Sequence, residues 1–460
     1  MKNLSKSLLV LLAGLVLAET VQAQVTNPAI TKFLQNTTNV RGRHYISGNA
    51  TPIQDTIHAN VQRVRYSATS VYVNCSGIPA YVIGPYLDNN PSIGTNRQNL
   101  FKLPLTPRPN TGTARGVGGG NIGVLINGVP IYNYADGMSY QNQGVWHQNA
   151  VVFERAGFDC AKGHPSPVFL TAPGPGVTPV GGNYHHHQNP SAFNIATVSL
   201  STVCNIYLAD GLYVPDSTRH APLIGFAFDG YPIYGGYGYA NPLAISAIKR
   251  MVPSFRMRAI TARTTLPNGT TASQTGPTLA AQALGSYFED YEQVSGLGDL
   301  DVHNGRFCVT PEYPQGTYAY FATFDRNGNS VFPYVLGTSY YGVVETSNFP
   351  AMGLGMPSTN VVINEPVTTY SSVVSATAAA SAATRITVYP SPAHDVLVVH
   401  STMSAAVAQP VELFDLTGRV VARQTLFPGS TMCYFDTQAL HTGVYLVRVN
   451  GGSAVRVTVE

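Results

Sequence analysis

The sequence has few charged residues. Only 11% of its 460 residues are Asp, Glu, Lys or Arg, against about 25% in an ordinary soluble protein. It contains no run of Lys or Arg that could contact successive phosphates, and its formal net charge is +3, so we expect no nucleic-acid partner. Helix signals are sparse, whereas Gly (44), Pro (32) and Tyr (27) are abundant. This composition favours strands joined by tight turns and predicts a mainly β fold.

Long apolar runs are also absent, except for one near the N-terminus. Residues 8–18 contain no polar side chain, follow the positive charges of Lys2 and Lys6, and precede Val21-Gln22-Ala23. The run is shorter than the about 20 residues that a membrane-spanning helix needs. This pattern predicts a signal peptide over residues 1–23 and no transmembrane segment.

The five cysteines contain no C-x-x-C pair, which argues against a zinc site made of cysteines. Four of them, Cys75, Cys160, Cys204 and Cys308, lie in the main body of the chain, and Cys433 lies in its C-terminal part. An exported chain meets oxidising conditions, so we expect disulfides among the first four. Three pairings fit, and the sequence does not choose between them.

A segment rich in Ser, Ala and Thr divides the chain. It runs from about residue 367 to 384 and holds no Phe, Leu or Trp, so we interpret it as a linker. The division predicts a β-rich domain over residues 24–366 and a second domain over residues 385–460. In the second domain, short alternating runs such as Tyr445-x-Val447-x-Val449 are separated by turn signals. That pattern is typical of a small Ig-like β-sandwich.

Several motifs of this C-terminal region occur in a fixed order. They are Tyr389-Pro390-Ser391-Pro392, Leu413-Phe414-Asp415-Leu416-Thr417-Gly418-Arg419, Gly443-Val444-Tyr445-Leu446-Val447 and a closing strand around Arg456. Together they resemble the type A sorting domain of the type IX secretion system, which usually has Asn at the position of Ser391 and Lys at that of Arg456. The resemblance implies contact with the type IX secretion machinery, passage across an outer membrane, and a secreted or cell-surface location.

An eleven-residue segment of the central region occurs twice. Ile122 to Tyr132 aligns without gaps on Ile224 to Tyr234, and six positions are identical. Each copy has an apolar run, then Asn-Gly or Asp-Gly, then a second run, which is a strong hairpin signal. We predict a duplicated β-hairpin within one large, sandwich-like β domain.

The densest group of metal-binding residue types is Tyr184-His185-His186-His187. If this segment is a strand, His185 and His187 lie on one face, about 7 Å apart, and can bind one metal ion together. A third ligand must come from elsewhere, and the candidates are His164, His220 and His303. We expect three further side chains to support the ligands, for example by fixing a histidine tautomer; these are Asp159, Asp301 and Tyr184.

The neighbouring motifs fall in a second recognisable order. They are Asp159 to Pro165, His220 to Gly235, Leu300 to Arg306, Thr317 to Tyr320 and Phe332 to Tyr334. With the histidine motif they resemble the YHYH domain family, over roughly residues 71–343; His186 stands where that family has Tyr, and both histidines of the naming motif are in place. The resemblance implies no particular reaction or ligand, but it draws the five candidate histidines into one domain.

Three functions remain open from the sequence. The first is an exported metal-binding protein without catalysis, since imidazole ligands suit copper and zinc. The second is a metal-dependent extracellular enzyme in which Tyr184, Asp159 or Glu154 acts as acid or base, although the sequence has neither H-E-x-x-H nor G-x-S-x-G. The third is a surface adhesion or glycan-binding module, which many tyrosines and low charge would suit. A simpler interpretation of the histidine run itself is a solvated loop.

Overall fold

The computed structural model describes residues 25–88, 93–168, 181–191, 211–349, 359–371, 386–401, 408–415, 419–427, 429–450 and 454–460. The chain separates into two compact units, Met1–Ser372 and Val373–Glu460. The predicted signal peptide lies outside the described residues, and so does most of the predicted linker.

The first unit is built from strands, which confirms the prediction of a mainly β fold. Its strands are β1 (Arg41–His44), β2 (Ile53–His58), β3 (Val61–Tyr66), β4 (Ser70–Cys75), β5 (Val82–Ile83), β6 (Asn99–Pro104), β7 (Asn121–Leu125), β8 (Pro130–Tyr132), β9 (Ala135–Ser139), β10 (His147–Asn149), β11 (Gly163–Val168), β12 (Gly181–His186), β13 (Leu223–Ala227), β14 (Pro232–Tyr234), β15 (Tyr237–Tyr239), β16 (Ile248–Arg250), β17 (Phe255–Met257), β18 (Tyr291–Gln293), β19 (Gly305–Cys308), β20 (Thr317–Phe321) and β21 (Thr368–Tyr370).

Helices are short in the part of the chain that the structure describes. The α-helices are α1 (Pro28–Thr31) and α2 (Ala150–Phe153), and 3-10 turns occur at Tyr140–Asn142, Arg155–Gly157, Phe288–Asp290 and Thr346–Asn348. Among these residues we find no helix with the length and apolar character needed to cross a membrane.

An eight-stranded sheet forms the centre of the first unit. Its strand order is β11-β12-β8-β7-β13-β14-β20-β19, and the β12–β8 and β14–β20 pairs are parallel. A four-stranded sheet of order β21-β3-β4-β6 shares one hydrophobic core with it. Phe101 of β6, for example, lies with its ring centroid 5.6 Å from that of Phe228, the residue after β13.

The predicted duplicated hairpin is confirmed. The strands β7 and β8 form one hairpin, and β13 and β14 form the other. At the turns, Gly128 and Gly230 adopt φ angles of 80° and 85°, a left-handed conformation that glycine reaches without steric cost. The preceding Asn127 and Asp229 each accept a hydrogen bond from the backbone N–H two residues further on. Asn and Asp can both make this bond, which explains why one copy of the turn has Asn and the other has Asp.

The duplication extends beyond the hairpins through all eight strands of the sheet. At its centre β7 and β13 pair antiparallel, with Val124 opposite Phe226. Each hairpin then pairs in parallel with the second strand of an outer antiparallel pair, β11–β12 on one side and β19–β20 on the other. The first half of the sheet, from β11 to β7, is therefore related to the second half, from β13 to β19, by a pseudo-twofold axis between Val124 and Phe226.

The same turn leads into the outer strand of each half. It runs from Asp159 to Gly163 in the first half and from Asp301 to Gly305 in the second, and the residue before each glycine has a positive φ (65° and 63°). In both turns the aspartate carboxylate accepts a hydrogen bond from the glycine N–H, at 3.0 and 3.3 Å. It also accepts one from a tyrosine hydroxyl at 2.8 Å, donated by Tyr184 in the first half and by Tyr318 in the second.

The body of the first unit extends past the predicted boundary at residue 366. The strand β21 pairs antiparallel with β3, with Thr368 opposite Tyr66, so residues 368–370 belong to a sheet. The linker prediction started too early here, because Thr and Tyr favour strands and the Ala-rich part of the segment begins only afterwards.

The cysteines only partly follow the expectation of disulfides. Cys75, Cys308 and Cys433 are free, Cys160 is disulfide-bonded, and Cys204 lies outside the described residues. Cys75 and Cys308 end the strands β4 and β19 and are buried in the common hydrophobic core. The main body therefore does not carry two disulfides made from its four cysteines.

The second unit consists of two sheets. Its strands are β22 (Ile386–Tyr389), β23 (Val396–Ser401), β24 (Gln409–Phe414), β25 (Val420–Leu426), β26 (Met432–Asp436), β27 (Gly443–Val449) and β28 (Val455–Val459). They form a three-stranded sheet, β22-β23-β26, and a four-stranded sheet, β25-β24-β27-β28. Alternate residues of both sheets, such as Leu397, Leu413 and Val447, meet in one core, as the alternating pattern predicts.

Candidate metal centre

Strand pairing brings three histidines to one face of the central sheet. The strands β11 and β12 pair antiparallel with His164 opposite His185, and directly opposed residues of an antiparallel pair project from the same face. His187 follows two residues after His185, so the alternation of side chains returns it to that face.

The three imidazoles are buried and converge. One ring nitrogen from each of His164, His185 and His187 lies within 4.8 Å of the other two. The side chains are only 5%, 1% and 2% exposed, so the group is not a solvated loop. The closest approach joins the Nε2 atoms of His185 and His187, which are 3.0 Å apart.

Backbone carbonyls fix the tautomers of two of these rings. His185 Nδ1 lies 2.8 Å from the carbonyl oxygen of Asn183, and His187 Nδ1 is hydrogen-bonded to the carbonyl of Asn133, just after β8. A carbonyl only accepts, so both Nδ1 atoms carry a proton, and in the neutral form of each ring Nε2 carries the lone pair that a metal ion would use. Nearly all metal-binding histidines are held by such an outer hydrogen bond.

A carboxylate completes the cluster. Glu154 immediately follows α2, and Asn149 precedes this helix and caps it by accepting a hydrogen bond from the N–H of Val151. Its Oε2 lies 2.9 Å from His187 Nε2 and 3.4 Å from His164 Nε2. The Glu154 side chain is 27% exposed, so it covers the cluster on the side nearest to solvent.

Aromatic rings hold the imidazoles in place. Tyr132 of β8 stacks on His185, with ring centroids 3.7 Å apart and planes inclined by 21°. Phe158 contacts the ring of His164 edge-on, at 4.8 Å. The Tyr132 hydroxyl accepts a hydrogen bond from the Asn183 amide at 2.6 Å. The walls of the site are therefore rigid and mostly apolar.

The electrostatics of the cluster favour a cation. Burial, with further contributions from His164 and His187, lowers the pKa of His185 well below its usual value. Burial raises the pKa of Glu154, but its contacts with His164 and His187 lower it more, and the net pKa is well below that of an ordinary glutamate. At neutral pH the cluster therefore combines an ionised carboxylate with at least one neutral imidazole, which is the protonation state that metal ligands need.

The opposite face of β12 carries the remaining residues of the motif. His186 Nε2 lies 2.6 Å from the Tyr81 hydroxyl, and burial lowers the pKa of His186 to about 3. Tyr184 donates to Asp159, whose carboxylate also accepts from the N–H groups of Ala161 and Gly163. Asp159 and Tyr184 thus hold the turn that leads to His164. The hydrogen bonds found for them join the two side chains to each other, to this turn and to the Gly84 N–H, and not to the imidazoles.

Two of the five candidate histidines lie elsewhere. His303 occupies in the second turn the position that Ala161 occupies in the first, and its Nδ1 lies 2.9 Å from the carbonyl oxygen of Ser339. Asp301 supports that second turn. His220 precedes β13 and packs against Tyr234, with ring centroids 5.0 Å apart. The structure therefore brings together His164, His185 and His187 and leaves the other two outside the group.

Glu154 was considered from the sequence only as an acid or base and not as a neighbour of the histidines. Nothing in its spacing from His164 or His185 indicates contact, because the 3-10 turn Arg155–Gly157 and the turn from Asp159 to Gly163 lie between it and His164, and β11 also lies between it and His185. The signal that could have found it is the N-cap Asn149, which fixes where α2 begins and hence where its last turn points.

Comparison with known families agrees with both resemblances. The family model described as YHYH protein matches residues 100–332, and the model described as secretion system C-terminal sorting domain matches residues 387–459. No curated protein matches the chain. The sorting domain indicates export to the cell surface or the medium. The chain thus belongs to the YHYH protein family and carries a type IX sorting domain at its C-terminal end.

Proposed function

We propose that this exported protein binds one copper or zinc ion through His164, His185 and His187, with Glu154 as the fourth ligand. The observation that supports this best is the 3.0 Å approach of two Nε2 atoms whose Nδ1 protons are committed to carbonyls. When both rings are neutral, the two Nε2 lone pairs repel each other, whereas a cation between or beside them attracts both.

The ligand set suits these two metals. Three imidazole nitrogens and one carboxylate oxygen match the four-coordinate preference of Zn²⁺. The same nitrogen-rich set binds Cu²⁺ more tightly than Zn²⁺ by the general affinity order of divalent metals. Which of the two fills the site then depends on their availability where the protein is exported.

Binding without catalysis fits the cluster better than an enzyme does. A catalytic site keeps one coordination position open for water or substrate, whereas here Glu154 stands at the fourth position. A metal-dependent enzyme would require this carboxylate to be displaced by substrate.

The glycan-binding alternative has less support. Among the exposed large hydrophobic side chains in the described part of the first unit, Phe307 is the only aromatic one. Many tyrosines of that unit, such as Tyr184, Tyr234 and Tyr320, are buried and cannot stack on sugar rings.

The proposal is tested by measuring the metal content of the purified mature chain and of two variants, His185→Ala and His187→Ala. We expect about one equivalent of copper or zinc in the parent, and loss of stoichiometric binding in each variant, because three ligands remain where four are needed. His303→Ala is the matched control, since this histidine lies outside the cluster, and it should retain the metal.

Unchanged metal content in both cluster variants would refute the proposal. Loss of metal in the His303→Ala control as well would show that the variants act through general misfolding. A turnover screen of the metal-loaded protein, with the metal-free form beside it, separates binding from catalysis: turnover only in the loaded form would favour the enzyme.

A further inference from the structure

The ligand types of the cluster suit both copper and zinc, and its geometry distinguishes between them. His185 and His187 are two residues apart in the chain, and their Nδ1 atoms are hydrogen-bonded to the carbonyls of Asn183 and Asn133. Tyr132 also stacks on the His185 ring, with centroids 3.7 Å apart. Neither ring can turn without breaking one of these contacts, so the fold sets the 3.0 Å between the two Nε2 atoms.

This separation fixes the angle at a metal ion that is bound to both atoms. Metal–nitrogen bonds of about 2.0–2.1 Å and a nitrogen separation of 3.0 Å give an angle of about 91–97° at the metal. A tetrahedral angle of about 109° would need the same two nitrogens about 3.3–3.4 Å apart. The pair therefore suits a right angle, and an ion that requires a tetrahedron would have to push the two rings apart.

The carboxylate repeats the right angle on the other side of His187. Glu154 Oε2 lies 2.9 Å from His187 Nε2, and with metal–oxygen bonds of about 2.0–2.2 Å this separation gives an angle of about 85–93°. Two adjacent right angles that share one ligand occur in square-planar and octahedral coordination and not in a tetrahedron.

His164 supplies the remaining corner. Its ring centroid lies 4.6 Å from that of His185 and 5.6 Å from that of His187, so it is next to His185 and across from His187. Its Nε2 lies 3.4 Å from Glu154 Oε2, which closes the ring of four ligands. Its Nδ1 has no hydrogen-bond partner among the described residues, so this imidazole is held less firmly than the other two and can adjust to the bond length that a metal requires.

We propose that the site selects Cu²⁺ and holds it in a tetragonal arrangement, with the four ligands near the corners of a square. This selectivity rests on the proposed metal-binding function and names the ion that fills the site. Tetragonal sites of nitrogen and oxygen are typical of Cu²⁺ and Ni²⁺, whereas four-coordinate Zn²⁺ is almost always tetrahedral. The cluster consists of imidazoles and a carboxylate, so it lacks the soft sulfur ligands that select Cu⁺.

The test compares the affinities of the mature chain for Cu²⁺, Ni²⁺ and Zn²⁺, by competition against a chelator of known affinity. Cu²⁺ should bind most tightly of the three. The comparison of Ni²⁺ with Zn²⁺ tests the angle itself, because Ni²⁺ accepts right angles and Zn²⁺ prefers a tetrahedron. We expect Ni²⁺ to bind about tenfold or more tighter than Zn²⁺, since zinc must widen a separation that hydrogen bonds and stacking hold.

Electron paramagnetic resonance of the copper-loaded protein reports the geometry directly. A tetragonal site gives an axial spectrum with a large copper hyperfine splitting along the unique axis, and distortion toward a tetrahedron reduces that splitting. We expect the large splitting, together with coupling to the nitrogens of three imidazoles. His164→Ala should remove one of these nitrogens from the coupling pattern.

The substitution Tyr132→Leu tests whether packing sets the angle. Without the stacked ring, His185 can turn away from His187, so the preference for Ni²⁺ over Zn²⁺ should fall toward equality. The matched control is Tyr234→Leu, at the equivalent position of the other hairpin, and it should leave the preference unchanged. The second half has no such cluster near this tyrosine, because strand pairing places Arg306, Ala319 and Phe321 where the first half has His164, His185 and His187.

The choice of ion and the metal centre itself can fail separately. Stoichiometric binding in which Zn²⁺ equals or exceeds Ni²⁺, or a copper spectrum with the small splitting of a tetrahedral site, would overturn the selectivity and leave the metal centre in place. An unchanged preference in Tyr132→Leu would contradict the fixed separation on which the selectivity depends. A chain that binds none of the three ions stoichiometrically would instead refute the proposed function.

Discussion

The substitution Asp159→Asn tests how the fold holds the proposed metal centre. Asp159 is 1% exposed, and its two oxygens accept four hydrogen bonds. Oδ1 accepts from the N–H groups of Ala161 and Gly163, both at 3.0 Å. Oδ2 accepts from the Gly84 N–H at 3.0 Å and from the Tyr184 hydroxyl at 2.8 Å. Because the turn ends at His164, the geometry of one ligand depends on these four bonds.

The expected loss follows from counting donors. An asparagine that keeps its oxygen toward Ala161 and Gly163 places its NH₂ group against the Gly84 N–H, which leaves that N–H and one of the two amide N–H groups without an acceptor. The Tyr184 hydroxyl can rotate and accept, so its bond survives. Each unsatisfied buried donor destabilises the fold by about 1–3 kcal/mol. Substitutions in such an outer shell typically weaken metal binding by about 10–100-fold.

The second half of the sheet supplies the matched control, Asp301→Asn. There Oδ1 accepts all three of the turn bonds, from the N–H groups of His303 and Gly305 and from the Tyr318 hydroxyl. Oδ2 accepts a hydrogen bond only from the same hydroxyl, at 3.0 Å. After the substitution this hydroxyl can rotate and accept from the asparagine NH₂ group. Asp301→Asn should therefore destabilise the fold less than Asp159→Asn, and it should leave metal affinity unchanged.

Urea unfolding of the metal-free proteins gives the two stability losses, and competition against a chelator of known affinity gives the metal dissociation constants. If Asp159→Asn loses stability but keeps full metal affinity, the turn does not position His164. If Asp301→Asn lowers metal affinity as much as Asp159→Asn does, affinity follows overall stability and the proposed geometry has no part in it.

Two further predictions concern acid stability and the independence of the units. Burial lowers the pKa of His186 to about 3, against about 6.5 in the unfolded chain. As the pH falls, the unfolded chain therefore binds a proton at this residue before the folded protein does. The free energy of unfolding has its full value above pH 6.5 and decreases by at most about 5 kcal/mol as the pH falls toward 3. His186→Gln should flatten the decline of unfolding free energy between pH 6.5 and pH 4 in urea titrations, and an unchanged slope would contradict the buried neutral state. Ending the chain at Ser372, where the first compact unit ends, should leave metal content and thermal midpoint unchanged, and a metal-free or unfolded product would show that the second unit supports the first.

Local patterns predicted the hairpins and placed His185 and His187 on one face, because both features depend on neighbours in the chain. The Asn-Gly and Asp-Gly turns are local signals, and the shared face of His185 and His187 needs only the alternation of a strand. The third histidine of the cluster depends on which strand lies opposite His185 and in what register. No local pattern carries that information, so His164, His220 and His303 could not be ranked.

The sequence repeat extends beyond the hairpins, and its full length excludes His303 as a third ligand. The eleven-residue duplication ends at the hairpin, but the spacing Asp-x-x-x-Gly also occurs at Asp159 and at Asp301. Each of these turns is followed later in the chain by a tyrosine, Tyr184 or Tyr318. Aligning those turns places His303 at the position of Ala161, inside the turn, and places Arg306 at the position of His164. The repeat does not identify Glu154, because the helix α2 that precedes it lies outside the eleven-residue duplication.

The differences between the two halves indicate why His185 and His187 are present. The second half builds the same turn, the same aspartate–tyrosine contact and the same strand pairing with Ala319 and Phe321 where the first half has His185 and His187. This backbone therefore packs well with apolar side chains at those positions. Imidazoles buried there leave polar nitrogens to be satisfied, at roughly 1–3 kcal/mol for each one that is not. Packing alone does not call for them, and a ligand that uses their lone pairs accounts for their presence in the first half only.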